Sequence, residues 1–197
     1  MDPLDCFKAY DIRGRVPDQL NEEVARNIGR AYASVIDPGS VVVGHDIRLS
    51  SPALAAALID GLREQGVEVH DIGVCGTEEV YFATFHCGTG GGIVVTASHN
   101  PKDYNGMKLV REGSRPVSSD DGLLDIKARV QSGRFAPAGR RGELHQLDST
   151  GDYINHLLGY IEGVTLRPLR IVVDAGNGGA GRVVDLLEPH LPFEFIK

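Results

Sequence analysis

The chain reads as an α/β protein, a mixed, largely parallel sheet sandwiched by helices. Two observations carry this. Short β-branched runs alternate with helical stripes at the spacing of βαβ units. The same alternation then restarts near the C-terminal end, after a stretch rich in Pro, Gly and Arg.

Asn21-Glu22-Glu23 opens the first helix, since Asn can cap free amides and two acids suit the positive end of the helix dipole. Val24, Ile28, Ala31, Tyr32 and Val35 form its apolar stripe, and Asp37-Pro38-Gly39 ends it. Residues 41–43, all Val, read as a buried strand. Ser51-Pro52 begins a second helix with Pro in its first turn, striped by Leu54, Leu58 and Leu62 and closed by Gly66. Residues 67–72 form the next strand. A third helix covers 78–85, after which the glycines of 88–92 lead into a strand at Ile93-Val94-Val95. A further strand covers 107–110. Asp120 is placed to cap a helix carrying Leu123, Leu124, Ile126 and Val130, stopped by Gly133.

From 132 to 149 the chain turns irregular, with Pro137, several Gly and the basic residues Arg134, Arg140 and Arg141, the composition of a linker; its arginines read as a solvated turn, with phosphate binding the alternative. A helix over 151–162 is expected to bury Tyr153, Ile154, Leu157, Leu158 and Ile161. A strand at 171–173, a helix at 179–188 and a strand at 193–196 then open a second βαβ unit. The expected domains are therefore 1–145, complete, and 146–197, the first part of a second one. A length of 197 residues agrees, because domains typically hold roughly 100 to 150. An incomplete second domain would expose an apolar edge, through which a homodimer could form.

Composition excludes several classes of function. No apolar run approaches the roughly 20 residues of a membrane helix, so no membrane partner is expected. Met1-Asp2-Pro3-Leu4-Asp5 has neither the basic head nor the apolar core of a signal peptide, which implies a cytoplasmic protein. Cys6, Cys75 and Cys87 are too few and too scattered for a disulfide framework or a zinc site, and the seven His show no paired-ligand spacing. A net charge of −7 disfavours nucleic acid but admits a small phosphorylated substrate, for which a few local cations suffice.

Chemistry concentrates at Thr96-Ala97-Ser98-His99-Asn100-Pro101, a polar loop following the strand at 93–95. Pro101 prevents simple continuation of the strand, so Ser98 sits where a strand delivers a side chain to a cleft. A hydroxyl among small dipolar neighbours there suits a phosphoryl group. An Asn-Pro turn with a solvated Ser has the same spacing, and residue pattern alone leaves both open.

That hexapeptide, together with Phe7-Lys8-Ala9-Tyr10-Asp11-Ile12-Arg13-Gly14, Gly76-Thr77-Glu78-Glu79-Val80-Tyr81-Phe82, Asp103-Tyr104-Asn105-Gly106-Met107-Lys108 and Arg111-Glu112-Gly113-Ser114-Arg115-Pro116, resembles the α-D-phosphohexomutase family. Within it the likeness is to the bacterial phosphomannomutase branch, which includes dual phosphomannomutase/phosphoglucomutase enzymes. It runs from Cys6 to the end, yet covers only the first domain and the opening of the second of a larger protein. The resemblance therefore implies a fragment that lacks the family's metal, sugar and last phosphate loops.

What the resemblance implies is a phosphoserine at Ser98 that passes its phosphate to a phosphohexose substrate, forming glucose or mannose 1,6-bisphosphate, and then takes the other phosphate back. Mannose 6-phosphate and mannose 1-phosphate are the implied pair, serving GDP-mannose and surface polysaccharide synthesis, with glucose phosphates the alternative. His99 and Lys108 align with residues beside the phosphoserine, His99 as a donor and Lys108 as proton shuttle and charge stabiliser. Arg13 offers a planar fork for phosphate oxygens, Tyr10 resembles the residue that reaches the sugar, and Asn100 organises the loop at the substrate side. Mg²⁺ would bind Ser98 through its phosphate, the only metal ligand that this chain carries over. Gly44-His45-Asp46-Ile47-Arg48 resembles a family turn with His45 where Arg is frequent, and Asp46 and Arg48 should pair to brace the loop.

Two other readings compete. Gly176-Asn177-Gly178-Gly179-Ala180-Gly181 fits Gly-x-Gly-x-x-Gly between strand and helix, a dinucleotide signature, but Ile196 and Lys197 stand where an acidic residue about 20 positions on is wanted. A serine hydrolase using Ser98 and His99 lacks the Gly-x-Ser-x-Gly elbow. A non-catalytic structural fragment remains the bland alternative.

Overall fold

A computed structural model describes residues 4–136 and 138–197. Met1, Asp2 and Pro3 of the expected leaderless start, and Pro137 of the expected linker, lie outside the described residues. The chain divides into two compact units between Leu147 and Asp148.

The first unit is built on one sheet with strand order β1-β5-β4-β2-β3-β7. The strands are β1 (Ile12–Arg15), β2 (Ser40–His45), β3 (Glu68–Val74), β4 (Gly91–Val95), β5 (Tyr104–Arg111), β6 (Arg115–Pro116, paired to β5) and β7 (Leu144–Gln146). β2, β3, β4 and β7 run parallel, whereas β5 is antiparallel to β1, β4 and β6. The mixed sheet agrees with the expectation.

Both faces of this sheet are covered, and the residue alternation of the strands shows how. Val41, Val43, Ile93 and Val95 join the main core, while Val42 and Val94, one residue out of phase, join a smaller cluster with Ile72, Cys75, Val80 and Ala83. The main core is closed by α1 (Glu22–Ile36), α2 (Ser51–Glu64) and α4 (Leu124–Ser132), through Ile28, Tyr32, Leu54, Leu58, Leu62 and Ile126. The opposite cluster is closed by α3 (Thr77–His86). Burial of each such Leu or Ile side chain contributes roughly 1.5–3 kcal/mol. Among the described residues, no buried side-chain nitrogen or oxygen lacks a hydrogen-bond partner.

Local signals act as expected at α1. The Asn21 side chain accepts a hydrogen bond from the Val24 amide at 3.0 Å, and Asp37 ends the helix in the left-handed region. Three expectations need correction. Asp120 does not cap a helix, because residues 119–123 form a wide turn in which Gly122 takes φ 102°, and α4 starts only at Leu124. Leu124 itself faces solvent. The stretch 132–149 is not irregular throughout, since β7 adds a strand parallel to β3, with His70 opposite His145 and their rings stacked at 5.4 Å. Finally, β1, a strand absent from the expectations above, pairs antiparallel with β5.

The second unit, residues 148–197, holds α5 (Thr150–Gly159), β8 (Leu169–Val172), α6 (Ala180–Leu187) and β9 (Phe193–Ile196), with β8 and β9 parallel. Tyr153 and Ile154 are buried as expected, but Leu157, Leu158 and Ile161 are only partly so. The Gly176–Gly181 segment turns the chain from β8 into α6, and the Lys197 ammonium pairs with Asp185 at 2.6 Å and with Glu188. A cation stands where a dinucleotide site wants an acid.

Candidate active site

Parallel strands bring their following loops to one end of the sheet, where open α/β folds place ligands. The loops after β2 (46–50) and β4 (96–101) meet there, because His45 lies opposite Val95. Across β1, β5 and β4, Ile12, Met107 and Val95 occupy one row. Arg13, next to Ile12 within β1, and Ser98, three residues past the end of β4 at Val95, are therefore set toward the same end of the sheet.

Ser98 is open to solvent and holds φ 54°, a left-handed conformation that a non-glycine residue adopts at some cost. Its neighbours maintain it there. The Ser98 amide donates to Thr96 Oγ1 at 2.9 Å, Thr96 Oγ1 donates to Asp46 Oδ2 at 2.7 Å, and the Asn100 amide donates to the Ala97 carbonyl at 3.0 Å. Asp46 also accepts from Ser51 Oγ at 2.5 Å and from the Arg48 amide at 3.0 Å.

Arg48 clamps the loop from below. Nη1 donates to the carbonyls of Pro101 at 2.7 Å and Tyr104 at 2.9 Å, and Nη2 to those of Ser98 at 2.8 Å and Asn100 at 2.6 Å. Its Nε lies 3.3 Å from Asp46 Oδ2, which is the expected pair. His45 Nδ1 contacts the Asp46 carbonyl at 2.8 Å.

A second network supplies positive charge. Arg13 Nε donates to Asp11 Oδ2 at 2.8 Å, and Arg13 Nη1 to Asn100 Oδ1 at 2.8 Å. The Lys108 ammonium lies 3.8 Å from the same Asp11 oxygen. Lys108 faces α3's side of the sheet, opposite Val94. Asn100 thus ties the Ser98 loop to Arg13 and, through Asp11, to Lys108. Ser98 Oγ and His99 Nδ1 are 3.4 Å apart, a long contact between adjacent exposed side chains.

Of the expected site residues, the structure gathers Ser98, His99, Asn100, Arg13 and Lys108 into these linked networks. Tyr10 stands apart at the tip of the 7–12 turn, 78% exposed, with no side-chain hydrogen bond among the described residues. Sequence reasoning missed Asp11 and Thr96. Asp11 sat between Tyr10 and Arg13 without an assigned task, and only its burial, 8% exposed, sets it apart.

These loops correspond to a known domain. A family model described as phosphoglucomutase/phosphomannomutase, alpha/beta/alpha domain I, matches residues 5–137. The chain belongs to the phosphoglucomutase/phosphomannomutase family. It is 59% identical over 194 residues to a protein of Xanthomonas campestris named phosphohexose mutases, covering 98% of this chain and 43% of that protein. To a phosphomannomutase of Salmonella typhimurium it is 55% identical over 204 residues, covering all of this chain and 45% of that one. A crystal structure of a phosphoglucomutase/phosphomannomutase family protein from Burkholderia thailandensis superposes with a TM-score of 0.87 at 39% identity, over 97% of this chain and 43% of its own. The chain thus spans less than half the length of these relatives.

The fit to a divalent cation is poor within this chain. Among the described residues, no group of three His, Cys, Asp or Glu could hold a metal ion. Asp11 and Asp46, the carboxylates hydrogen-bonded into these networks, are engaged by Arg13 and Lys108 and by Arg48, Thr96 and Ser51. Among the described residues, no helix is long and apolar enough to cross a membrane.

Proposed function

We propose that Ser98 is the phosphoryl carrier of a hexose-phosphate mutase that interconverts mannose 6-phosphate and mannose 1-phosphate by way of a hexose 1,6-bisphosphate. The product would feed GDP-mannose and surface polysaccharide synthesis, and glucose phosphates are the alternative substrates. One observation carries the reading: a solvent-open Ser in a strained conformation, on a loop clamped by Arg48 and wired through Asn100 to Arg13. The names of the relatives agree with it.

In the transfer, the bond between phosphorus and Ser98 Oγ breaks as a sugar hydroxyl oxygen bonds to phosphorus. The sugar hydroxyl proton is relayed to the departing Ser98 Oγ, with Lys108 as the shuttle, so that Ser98 ends as a hydroxyl while charge grows transiently on the phosphoryl oxygens. Arg13 holds a phosphoryl oxygen through its guanidinium, Lys108 stabilises the charge and returns a proton, and His99 donates to the phosphate or the sugar. Tyr10, exposed on its turn, is free to meet the sugar, while Asn100 sets the edge of the site. Mg²⁺ would contribute charge neutralisation only with further oxygen ligands, which the described residues do not bring together in a group of three. This chain by itself should therefore carry phosphate without completing mutase turnover.

Intact mass before and after phosphatase tests the reading, with the site mapped by peptide fragmentation. One phosphate on Ser98, removable and absent from Ser98→Ala, is expected. A protein of the relatives' full length that kept its mutase rate as Ser98→Ala would overturn it.

A further inference from the structure

We infer that Asp11 is a positioning residue for phosphoryl transfer at Ser98, setting Arg13 and Lys108 toward the loop while leaving their donors available to phosphate; this rests on the mutase reading above.

Asp11 lies at the base of the 7–12 turn, where its carbonyl accepts from the Lys8 amide at 2.9 Å and the Arg13 amide donates to the Cys6 carbonyl at 2.7 Å. The backbone thereby fixes Asp11 and Arg13 relative to each other. The Asp11 carboxylate is shielded from water, so its charge acts on its neighbours with little screening. It takes Arg13 by Nε alone, in a charge-assisted bond. Asn100 takes Nη1, so the planar guanidinium is held on two sides and cannot swivel. Nη2 then has no partner among the described residues and is available to a phosphoryl oxygen.

Lys108 is treated differently by the same oxygen. At 3.8 Å the contact is ionic, beyond hydrogen-bond length, so the ammonium is held near Asp11 without committing its hydrogens. Asp11, Arg13 and Lys108 together carry one net positive charge, which suits a phosphate ester. Tyr81 on α3 also stands in the field of this carboxylate: burial first, then Glu78 and Asp11, holds its phenol above the ordinary range. It stays a neutral hydroxyl at neutral pH and does not compete for the charge. A carboxylate in direct contact with a transferring phosphate would repel it. Asp11 is turned toward the two cations that would make that contact.

The test uses Asp11→Asn and Asp11→Glu in a protein of the relatives' full length that carries this chain. Asn keeps the shape and loses the charge, so kcat should fall about 30-fold or more while KM moves less than about threefold. Removal of one aligned donor from a site of this kind costs on the order of 10²-fold. Glu restores the charge and should recover part of kcat, and the thermal midpoint of both variants should stay within a few degrees of wild type. If Asp11→Asn keeps kcat within about twofold, the inference fails. It also fails if both variants lose kcat only in proportion to folded protein, because the role is then structural. A wild type that neither turns over nor carries phosphate on Ser98 sinks the mutase reading itself, a distinct outcome.

Discussion

Replacement of Arg48 by Ala puts the loop's rigidity to a quantitative test. The Arg48 side chain is 14% exposed and donates to the carbonyls of Ser98, Asn100, Pro101 and Tyr104. Hydrogen bonds to a charged group contribute about 1.5–3 kcal/mol each, but the carbonyls of Ser98 and Pro101 are bonded at the surface and water would replace the lost donor. Those of Asn100 and Tyr104 are partly buried, and at about 1.5 kcal/mol each they set the loss near 3 kcal/mol. Asp46 would lose its ion pair as well, though Thr96, Ser51 and the residue-48 amide still satisfy it. For a unit of this size a loss of about 3 kcal/mol lowers the melting temperature by about 6–12 °C. Arg48→Lys should lose about half as much, since one ammonium cannot span four carbonyls arranged around a planar fork. Thermal unfolding by circular dichroism gives the midpoints, and amide hydrogen exchange over residues 98–104 reports on the loop. A midpoint for Arg48→Ala within about 1 °C of wild type, with unchanged exchange, would refute the clamp.

Other outcomes follow from packing and charge. Gly61 on α2 faces the Arg26 backbone on α1, and a Cβ there would stand 2.9 Å from the Arg26 carbonyl carbon and closer still to its oxygen. Gly61→Ala should force the helices apart and cost about 2–3 kcal/mol, seen as a lower urea midpoint; an unchanged midpoint would contradict the close approach. At the same helix pair, hydrogen bonding from Arg26, partly opposed by burial and reinforced by Arg30, holds the Glu64 carboxyl below the usual carboxylate range. A carboxyl depressed in the folded state adds stability that is present above its unfolded value and disappears as the pH falls through the folded one. Glu64→Gln should therefore lower stability at pH 7 by about 1 kcal/mol and flatten its decline between about pH 5 and 3, whereas parallel urea-midpoint curves would exclude this pair as a contributor.

Much of this structure was legible because it depends on near neighbours. Helix α1 follows from an Asn cap, an acidic first turn and a 3.6-residue stripe, all within one segment. The strands β2 and β4 are runs of β-branched residues buried on both faces, and such runs show in the sequence. The Ser98 loop could be singled out because polar small residues abruptly replace such a run. At 119–123 local reasoning failed: Asp120 had the right side chain for a cap, but the Leu123 amide bonds the Ser118 carbonyl and Gly122 opens the turn.

By itself, the sequence determined the alternation of strands and helices, the caps that bound α1, and the loop that presents Ser98, since each is encoded by residues a few positions apart. Only the tertiary structure decided that Leu144–Gln146 is a strand, because a short segment without apolar alternation is held extended by its pairing with β3. It alone joined Asp11 to Lys108 and Arg13 to Asn100 as well. An ion pair between residues nearly a hundred positions apart exists only once strand register has set both at the same end of one sheet.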